Sequence, residues 1–376
     1  MKVGNNEDIK IEFFTLAYTL ANRVKGVVSP NPAVGAVIVK NGKVVSVGAT
    51  EPNYGRHAEV VAIENAKVPL KGATMIVTLE PHQFQGKNPP CTERIIESGI
   101  TRVFVGTIDK NPMVNGKGIA RLKSAGIEVK VGFLEDDLLE LNEDFFKFVT
   151  TGKPFVTVKY AMSIDGKLAT ITGDSKWISS ESSREYVHSE LRRKADAILV
   201  GVNTIIADNP HLTIRYKKKE YLYKQPLRCV VDPFGKTPID SNILTDNLPT
   251  LLFVSEKVSK DFLSYISKLP NKRYEIVELV NERYLNVNEI VTKLGEMKII
   301  NLLVEGGGEI IGSFFDNNLV DKVYAFISPK FLGGKNAKVI DGNGISKVED
   351  AIKLYDLSAF RFEDDIMIKG YVEKPY

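Results

Sequence analysis

Short apolar runs rich in β-branched residues alternate with amphipathic helical segments along this chain, and the alternation restarts after one break. That pattern constrains the fold more than any other feature. Such runs are buried as inner strands of a sheet whose faces carry helices. In the first half, hydrophobic spacing predicts a helix over Phe13–Arg23 and a hairpin of Val34–Lys40 and Val44–Gly48 turned at Asn41-Gly42. It then predicts a helix over Ala58–Ala66, a buried strand over Thr74–Leu79, a helix over Pro90–Glu97 and a strand over Arg102–Gly106. A helix over Gly118–Ala125, a strand over Ile127–Val131 and one long helix over Leu134–Phe148 complete the half.

Thr150-Thr151-Gly152-Lys153-Pro154 ends the helical pattern, so two domains are expected, residues 1–150 and 151–376. The length of 376 residues agrees, since single cores rarely grow past about 250–300 residues. The second half predicts strands over Phe155–Ala161, Ala197–Gly201, Arg228–Asp232, Thr250–Val254, Ile299–Val304, Val323–Ile327 and Ile366–Val372. Helices are expected over Ser182–Arg193 and Glu309–Asn317, and the charged run Arg215–Glu220 as a surface loop or hairpin tip.

Several function classes are disfavoured early. Fifty basic and 47 acidic residues give a net charge of +3, too little to make nucleic acid a bulk partner, though a local basic cluster suits a phosphate. No run approaches the roughly 20 apolar residues of a membrane span. The opening Met1–Phe14 has neither the apolar centre nor the cleavage site of a signal peptide. Cys91 and Cys229 are too few for a disulfide framework. A soluble cytoplasmic protein is expected.

The strongest chemical signal is His57-Ala58-Glu59 at a helix entry, followed by Thr78-Leu79-Glu80-Pro81-His82 and then Pro89-Pro90-Cys91 at another helix entry. Zinc deaminases of nucleobases use a His-x-Glu followed by Pro-Cys and a further ligand. A hydrolytic zinc site needs three protein ligands and one open position. His57, His82 and Cys91 supply three. Glu59 has the spacing of a carboxylate that carries protons without ligating the ion. A thiolate at a helix start is stabilised by the helix dipole, which suits Cys91 as a ligand. Taken alone, a His at a helix start is more often a cap, and a Cys there more often simply buried.

These residues resemble the deaminase half of the bifunctional deaminase–reductase family of riboflavin biosynthesis. The resemblance runs through Ser29-Pro30-Asn31-Pro32-Ala33-Val34-Gly35, Asp109-Lys110-Asn111-Pro112 and Gly116-Lys117-Gly118. It implies a cytidine-deaminase-like α/β/α three-layer domain, with Asn31 lining the pyrimidine pocket. One departure stands out. Where the family has Cys, Ser and His after Glu-Pro, this chain has His82, Gln83 and Phe84. Imidazole is a sound zinc ligand, but the exchange removes one thiolate charge and one polar side chain near the substrate.

The second half resembles the reductase of the same family through Val158–Lys167, Gly173–Ile178, Ala195–Gly201, Ala207–Pro210 and Val304–Glu309. This implies a dihydrofolate-reductase-like α/β domain. By that resemblance Ala161, Trp177, Thr204, Asp208 and the turn Gly306-Gly307-Gly308 bind NADPH. Ser175, Arg192, Leu212, Arg215 and Glu305 bind the phosphoribosyl pyrimidine. Read from the residues alone, the glycine run is more often an ordinary strand-to-helix turn, Trp177 is otherwise a core residue, and Arg215 is equally part of a solvated run. No Gly-x-Gly-x-x-Gly supports a Rossmann site. Lys159 and Asp165 are the candidates for acid or base.

The function expected is zinc-dependent deamination of a phosphoribosylamino-pyrimidine and NADPH-dependent reduction of its ribosyl group to ribityl, in a homodimer or larger assembly. Two alternatives stay open. One is a reductase whose first domain has retired, motivated by His82 and Phe84. The other is a tRNA adenosine deaminase with an added domain, against which the near-neutral charge speaks.

Overall fold

A computed structural model of the chain describes residues 10–216, 218–374 and 376. The opening segment Met1–Asp8, whose role the sequence left open, lies outside the described residues, as does Lys217 of the charged run. The chain divides into two compact units. One is Met1–Thr151 with Lys219–Tyr223 and Pro375–Tyr376, the other Gly152–Lys218 with Lys224–Lys374.

The first unit opens with α1 (Ile11–Val24), β1 (Gly35–Lys40), β2 (Lys43–Ala49), α2 (Ala58–Glu64) and β3 (Thr74–Leu79). It continues through α3 (Cys91–Glu97), β4 (Arg102–Thr107), α4 (Lys117–Ser124), β5 (Glu128–Val131), α5 (Glu135–Leu141) and α6 (Glu143–Thr151). The sheet order is β2-β1-β3-β4-β5. β1 pairs antiparallel with both β2 and β3, while β3, β4 and β5 are parallel. Every residue of the central strand β3 is buried, as a strand covered on both faces must be. Phe13, Phe14 and Ala17 of α1 pack on Val37, Val39 and Ile76 on one face. α2 packs on β1 and β2, where Ser46 donates to the carbonyl of Ala62.

The long helix expected over Leu134–Phe148 is two helices broken at Asn142. The cause is a pair of side-chain bonds. Asn142 Oδ1 accepts from the N–H of Ala33, and Nδ2 donates to the carbonyl of Ala33. This ties the break to the loop carrying Asn31.

The second unit begins with β6 (Phe155–Ser163), α7 (Glu181–Tyr186), β7 (Ala197–Gly201), α8 (Val202–Asp208), β8 (Leu227–Val231) and α9 (Asn242–Thr245). Then come β9 (Thr250–Val254), α10 (Lys260–Lys268), β10 (Lys272–Ile276), β11 (Leu279–Val280), β12 (Tyr284–Leu285) and α11 (Val287–Glu296). It closes with β13 (Asn301–Gly306), α12 (Gly308–Asp316), β14 (Lys322–Ser328), β15 (Tyr355–Phe362) and β16 (Asp365–Tyr371). The helix expected over Ser182–Arg193 is α7 followed by a π-helical turn, Val187–Arg192.

Nine strands form one sheet in the order β10-β9-β8-β7-β13-β6-β14-β16-β15, parallel up to β14 and antiparallel beyond. Side chains of β7 alternate between two cores. Ala197 and Leu199 point to one, Ile198 and Val200 to the other. β13 lies between β6 and β7, so sequence-adjacent strands are split there. In open α/β sheets a crevice forms outside the carboxyl ends of strands at such a point. Among the described residues, no helix is long and apolar enough to cross a membrane.

Candidate active sites

In the first unit the site is assembled from three element starts. His57 is the residue before α2, and its side chain caps no backbone N–H, which removes the capping role. Cys91 is the first residue of α3 and fully buried. His82 follows β3 by three residues. The nitrogen and sulfur donors of His57, His82 and Cys91 lie within 4.8 Å of one another. Cys91 Sγ is 3.4 Å from His57 Nδ1. The His57 and His82 rings are 4.8 Å apart, and Phe84 packs edge-on against His82 at 5.3 Å. Burial lowers the His82 imidazole, against a hydrogen bond with the Asn88 backbone that holds one ring nitrogen and leaves the other for the cluster.

Glu59 is buried beside these donors. Burial pushes its carboxyl up, against hydrogen bonds from its own backbone N–H and from Cys91. Burial, then the charge and hydrogen bond of Glu59, pushes the Cys91 thiol well up. Burial, aided by His82, lowers His57 to about 4. A bound cation reverses this preference, since it takes the thiolate and the neutral imidazole. Asn31, His57, Glu59 and His82 line a cavity of about 250 Å³, together with Asp109, Asn111 and Lys87.

Sequence reasoning assigned no role to Glu80, yet this residue organises the site's frame. Its carboxylate accepts backbone N–H bonds from Asp109, Gly116, Gly118 and Ile119. It thus satisfies the free N–H groups at the start of α4. A buried acid at the end of an apolar strand was the available signal. Lys87 sits over the Tyr54 ring at 3.6 Å. Asp109 is raised to about 7 by burial and by Glu80, against a backbone bond from Asn111.

In the second unit the residues gather at the carboxyl ends of β6, β7 and β13. Arg192 and Glu305 form a two-pronged ion pair, 2.7 Å at each contact, and Arg192 also donates to the Thr213 carbonyl. All three guanidinium nitrogens of Arg192 are thus engaged, two by Glu305 and one by Thr213. Arg215 instead meets His188, through its backbone N–H and through Nη2, at 3.2 Å each. Lys159 of β6 lies within reach of the same charges, and burial lowers its pKa. Asp165 is held at about 2, chiefly by Ser163, and accepts from the N–H groups of Leu332 and Gly333. It anchors a turn and is no proton donor at neutral pH.

Ser175 Oγ donates to Asp208, and Lys176 reaches the Asp208 carbonyl. Trp177 is 57% exposed, with the Arg184 guanidinium 4.4 Å from its ring, so it is not a core residue. Leu212 is buried, whereas Ala161 is only partly so. Thr204 Oγ1 is 3.5 Å from where a side chain on Gly307 would begin. Gly306 has φ of 132°, and a Cβ on Gly308 would meet the Val339 carbonyl at 2.0 Å. Two of the three glycines therefore have a backbone reason of their own.

The fold and these two clusters define a class: an α/β enzyme with a deaminase-type domain followed by a reductase-type domain. Residues 8–107 match the cytidine and deoxycytidylate deaminase zinc-binding region, and residues 154–368 match the RibD C-terminal domain. The chain belongs to the RibD family of riboflavin biosynthesis proteins. It is 42% identical to the riboflavin biosynthesis protein RibD of Aquifex aeolicus, over 96% of this chain and 98% of that one. It is 41% identical to RibD of Bacillus amyloliquefaciens, over 95% and 94%. Its structure resembles a diaminohydroxyphosphoribosylaminopyrimidine deaminase/5-amino-6-(5-phosphoribosylamino)uracil reductase of Thermotoga maritima, with TM-score 0.83 and 36% identity over 96% and 97% of the chains. It also resembles Acinetobacter baumannii RibD, with TM-score 0.83 and 28% identity over 96% and 98%.

Proposed function

We propose that the first unit deaminates a phosphoribosylamino-pyrimidine at a zinc site of His57, His82 and Cys91. The second unit uses NADPH to reduce the ribosyl group to ribityl. The observation that carries this reading is the convergence of three metal-type donors beside the buried Glu59. The donor set fits zinc. Ligands of a tetrahedral zinc stand roughly 3.3–3.7 Å from one another, and His57 and Cys91 are already 3.4 Å apart. When bound, zinc supplies a water activated near neutral pH.

The chain's own residues do the rest. The Glu59 carboxylate carries a proton to the pyrimidine ring and then to the departing ammonia. Asn31 orients the pyrimidine at the cavity wall. Asn88 holds the His82 ring, and Phe84 keeps water from its edge. In the second unit NADPH supplies a hydride when bound. Trp177, Thr204, Asp208, Ala161 and the Gly306–Gly308 turn hold it. Ser175, Leu212, Arg215 and the Arg192–Glu305 pair position the substrate, and Lys159 is the group placed to move a proton. The assembly is a cytoplasmic homo-oligomer without nucleic-acid or membrane partners.

Metal analysis beside Cys91→Ser tests the first half. About one zinc per chain, lost in the variant, is expected, and equal content in both contradicts it. Oxidation of NADPH on adding the phosphoribosyl pyrimidine, compared with NADH, tests the second.

A further inference from the structure

The second unit's crevice carries a histidine that none of these roles uses. His188 lies on the π-helical turn Val187–Arg192 and is 3% exposed. Such turns occur frequently at functional sites. Its Nδ1 is 3.2 Å from the backbone nitrogen of Arg215, and its Nε2 is 3.2 Å from Arg215 Nη2. Both neighbours are donors in every protonation state they reach, while a neutral imidazole has one acceptor nitrogen and one N–H. The backbone N–H is fixed, so Nδ1 accepts from it and Nε2 carries the proton. Nε2–H and the Arg215 Nη2 group then face each other 3.2 Å apart, two donors that a shared acceptor would reconcile.

The surrounding charge agrees. Burial, then the charges of Arg192 and Arg215, lowers His188 to about 3 and keeps it neutral. Arg192 is neutralised by Glu305. Arg215 and Lys159 remain as positive charges acting on His188, and Glu305 is the carboxylate that reaches it. Two facing donors in a positive field are the chemistry that takes up a phosphate oxygen between them.

We infer that His188 Nε2–H and the Arg215 guanidinium together hold an oxygen of the substrate's phosphate monoester, with His188 Nδ1 fixing the Arg215 backbone. This rests on the proposed reduction of a phosphoribosyl substrate. It adds His188 to the substrate site and leaves Arg192 as the partner that orients Glu305.

Ribose 5-phosphate binding to the full chain, followed by calorimetry, tests it. His188→Gln returns an amide N–H near the Nε2 position and keeps the Kd within about three-fold. His188→Asn keeps only the acceptor near Nδ1 and weakens binding about ten-fold or more, with the loss in turnover falling on KM rather than kcat. Equal binding by wild type and His188→Asn overturns the inference. A wild-type measurement guards against a misfolded variant. The chain has four histidines, so their ring nitrogens are resolvable by NMR with labelled histidine. Ribose 5-phosphate shifts the His188 Nε2 resonance and ribose does not; absence of that shift overturns the inference. Reduction of the phosphoribosyl pyrimidine by wild type, with KM unchanged in His188→Asn, sinks the inference alone. A wild type that does not reduce it sinks the parent reading as well.

Discussion

Arg192 and Glu305, 113 residues apart in sequence, meet through two contacts of 2.7 Å at the carboxyl end of the middle strand. Burial alone would raise the Glu305 carboxyl. The charge and hydrogen bonds of Arg192, with Lys159 and His188, outweigh it and hold the pKa at about 2. A carboxylate depressed in the folded state contributes stability above its unfolded value, near 4.3, and loses it as pH falls through the folded value. The stability advantage of wild type over Glu305→Gln is therefore expected to be full above pH of about 4.5 and to shrink toward pH of about 2. Thermal melts across that window check it. A constant difference would show that Glu305 is not held by its partner.

Removing the other partner is costlier. Arg192→Met leaves Glu305 buried and uncompensated, which costs about 3–5 kcal/mol. Urea unfolding of the reductase signal should show this, and Arg192→Lys should recover only part of it because the two-pronged contact is lost. Full recovery by Lys would mean that charge alone matters there.

The Glu80 carboxylate is expected to hold the start of α4 against the end of β3. Glu80→Gln keeps the shape but cannot accept all four N–H bonds, and should cost about 1–3 kcal/mol. The loss should appear in ammonia release and leave NADPH oxidation unchanged. Equal loss of both activities would tie Glu80 to the whole chain rather than to the first site.

Gly118 tests the same frame sterically. A Cβ there would lie 1.8 Å from the Pro81 carbonyl. Gly118→Ala must therefore push α4 from the loop that carries His82. Reduced zinc content with reductase turnover retained is expected. Normal zinc content would show that the loop adapts.

A chelator should separate the two activities. Stripping zinc abolishes ammonia release, and NADPH oxidation with the deaminated substrate continues. Loss of both would place the metal's role in folding rather than chemistry.

The grouping of His57, Glu59 and Cys91 was legible in the sequence because a His-x-Glu and a Pro-Cys, each at a helix start, are short local patterns. Strand positions such as Thr74–Leu79 and Thr250–Val254 were legible because burial on both faces leaves a continuous apolar run. The break at Asn142 was not, because it depends on two bonds to Ala33, 109 residues away. The commitment of Arg192 to Glu305 was hidden for the same reason. His188 falls within the helix expected over Ser182–Arg193, and the π-helical turn that places it beside Arg215 leaves no mark in hydrophobic spacing.

His82, standing where the resemblance implies cysteine, is expected to complete a working deaminase site. The most direct test is ammonia release by the zinc-loaded chain without NADPH, on the phosphoribosylamino-pyrimidine and again on its reduced ribityl form. Glu59→Gln, with zinc content measured in parallel, is the control. Release is expected on at least one substrate, with a fall of about 10²–10⁴-fold in the variant at unchanged zinc content. Silence on both substrates with zinc bound would contradict it and leave a reductase carrying a retired deaminase domain.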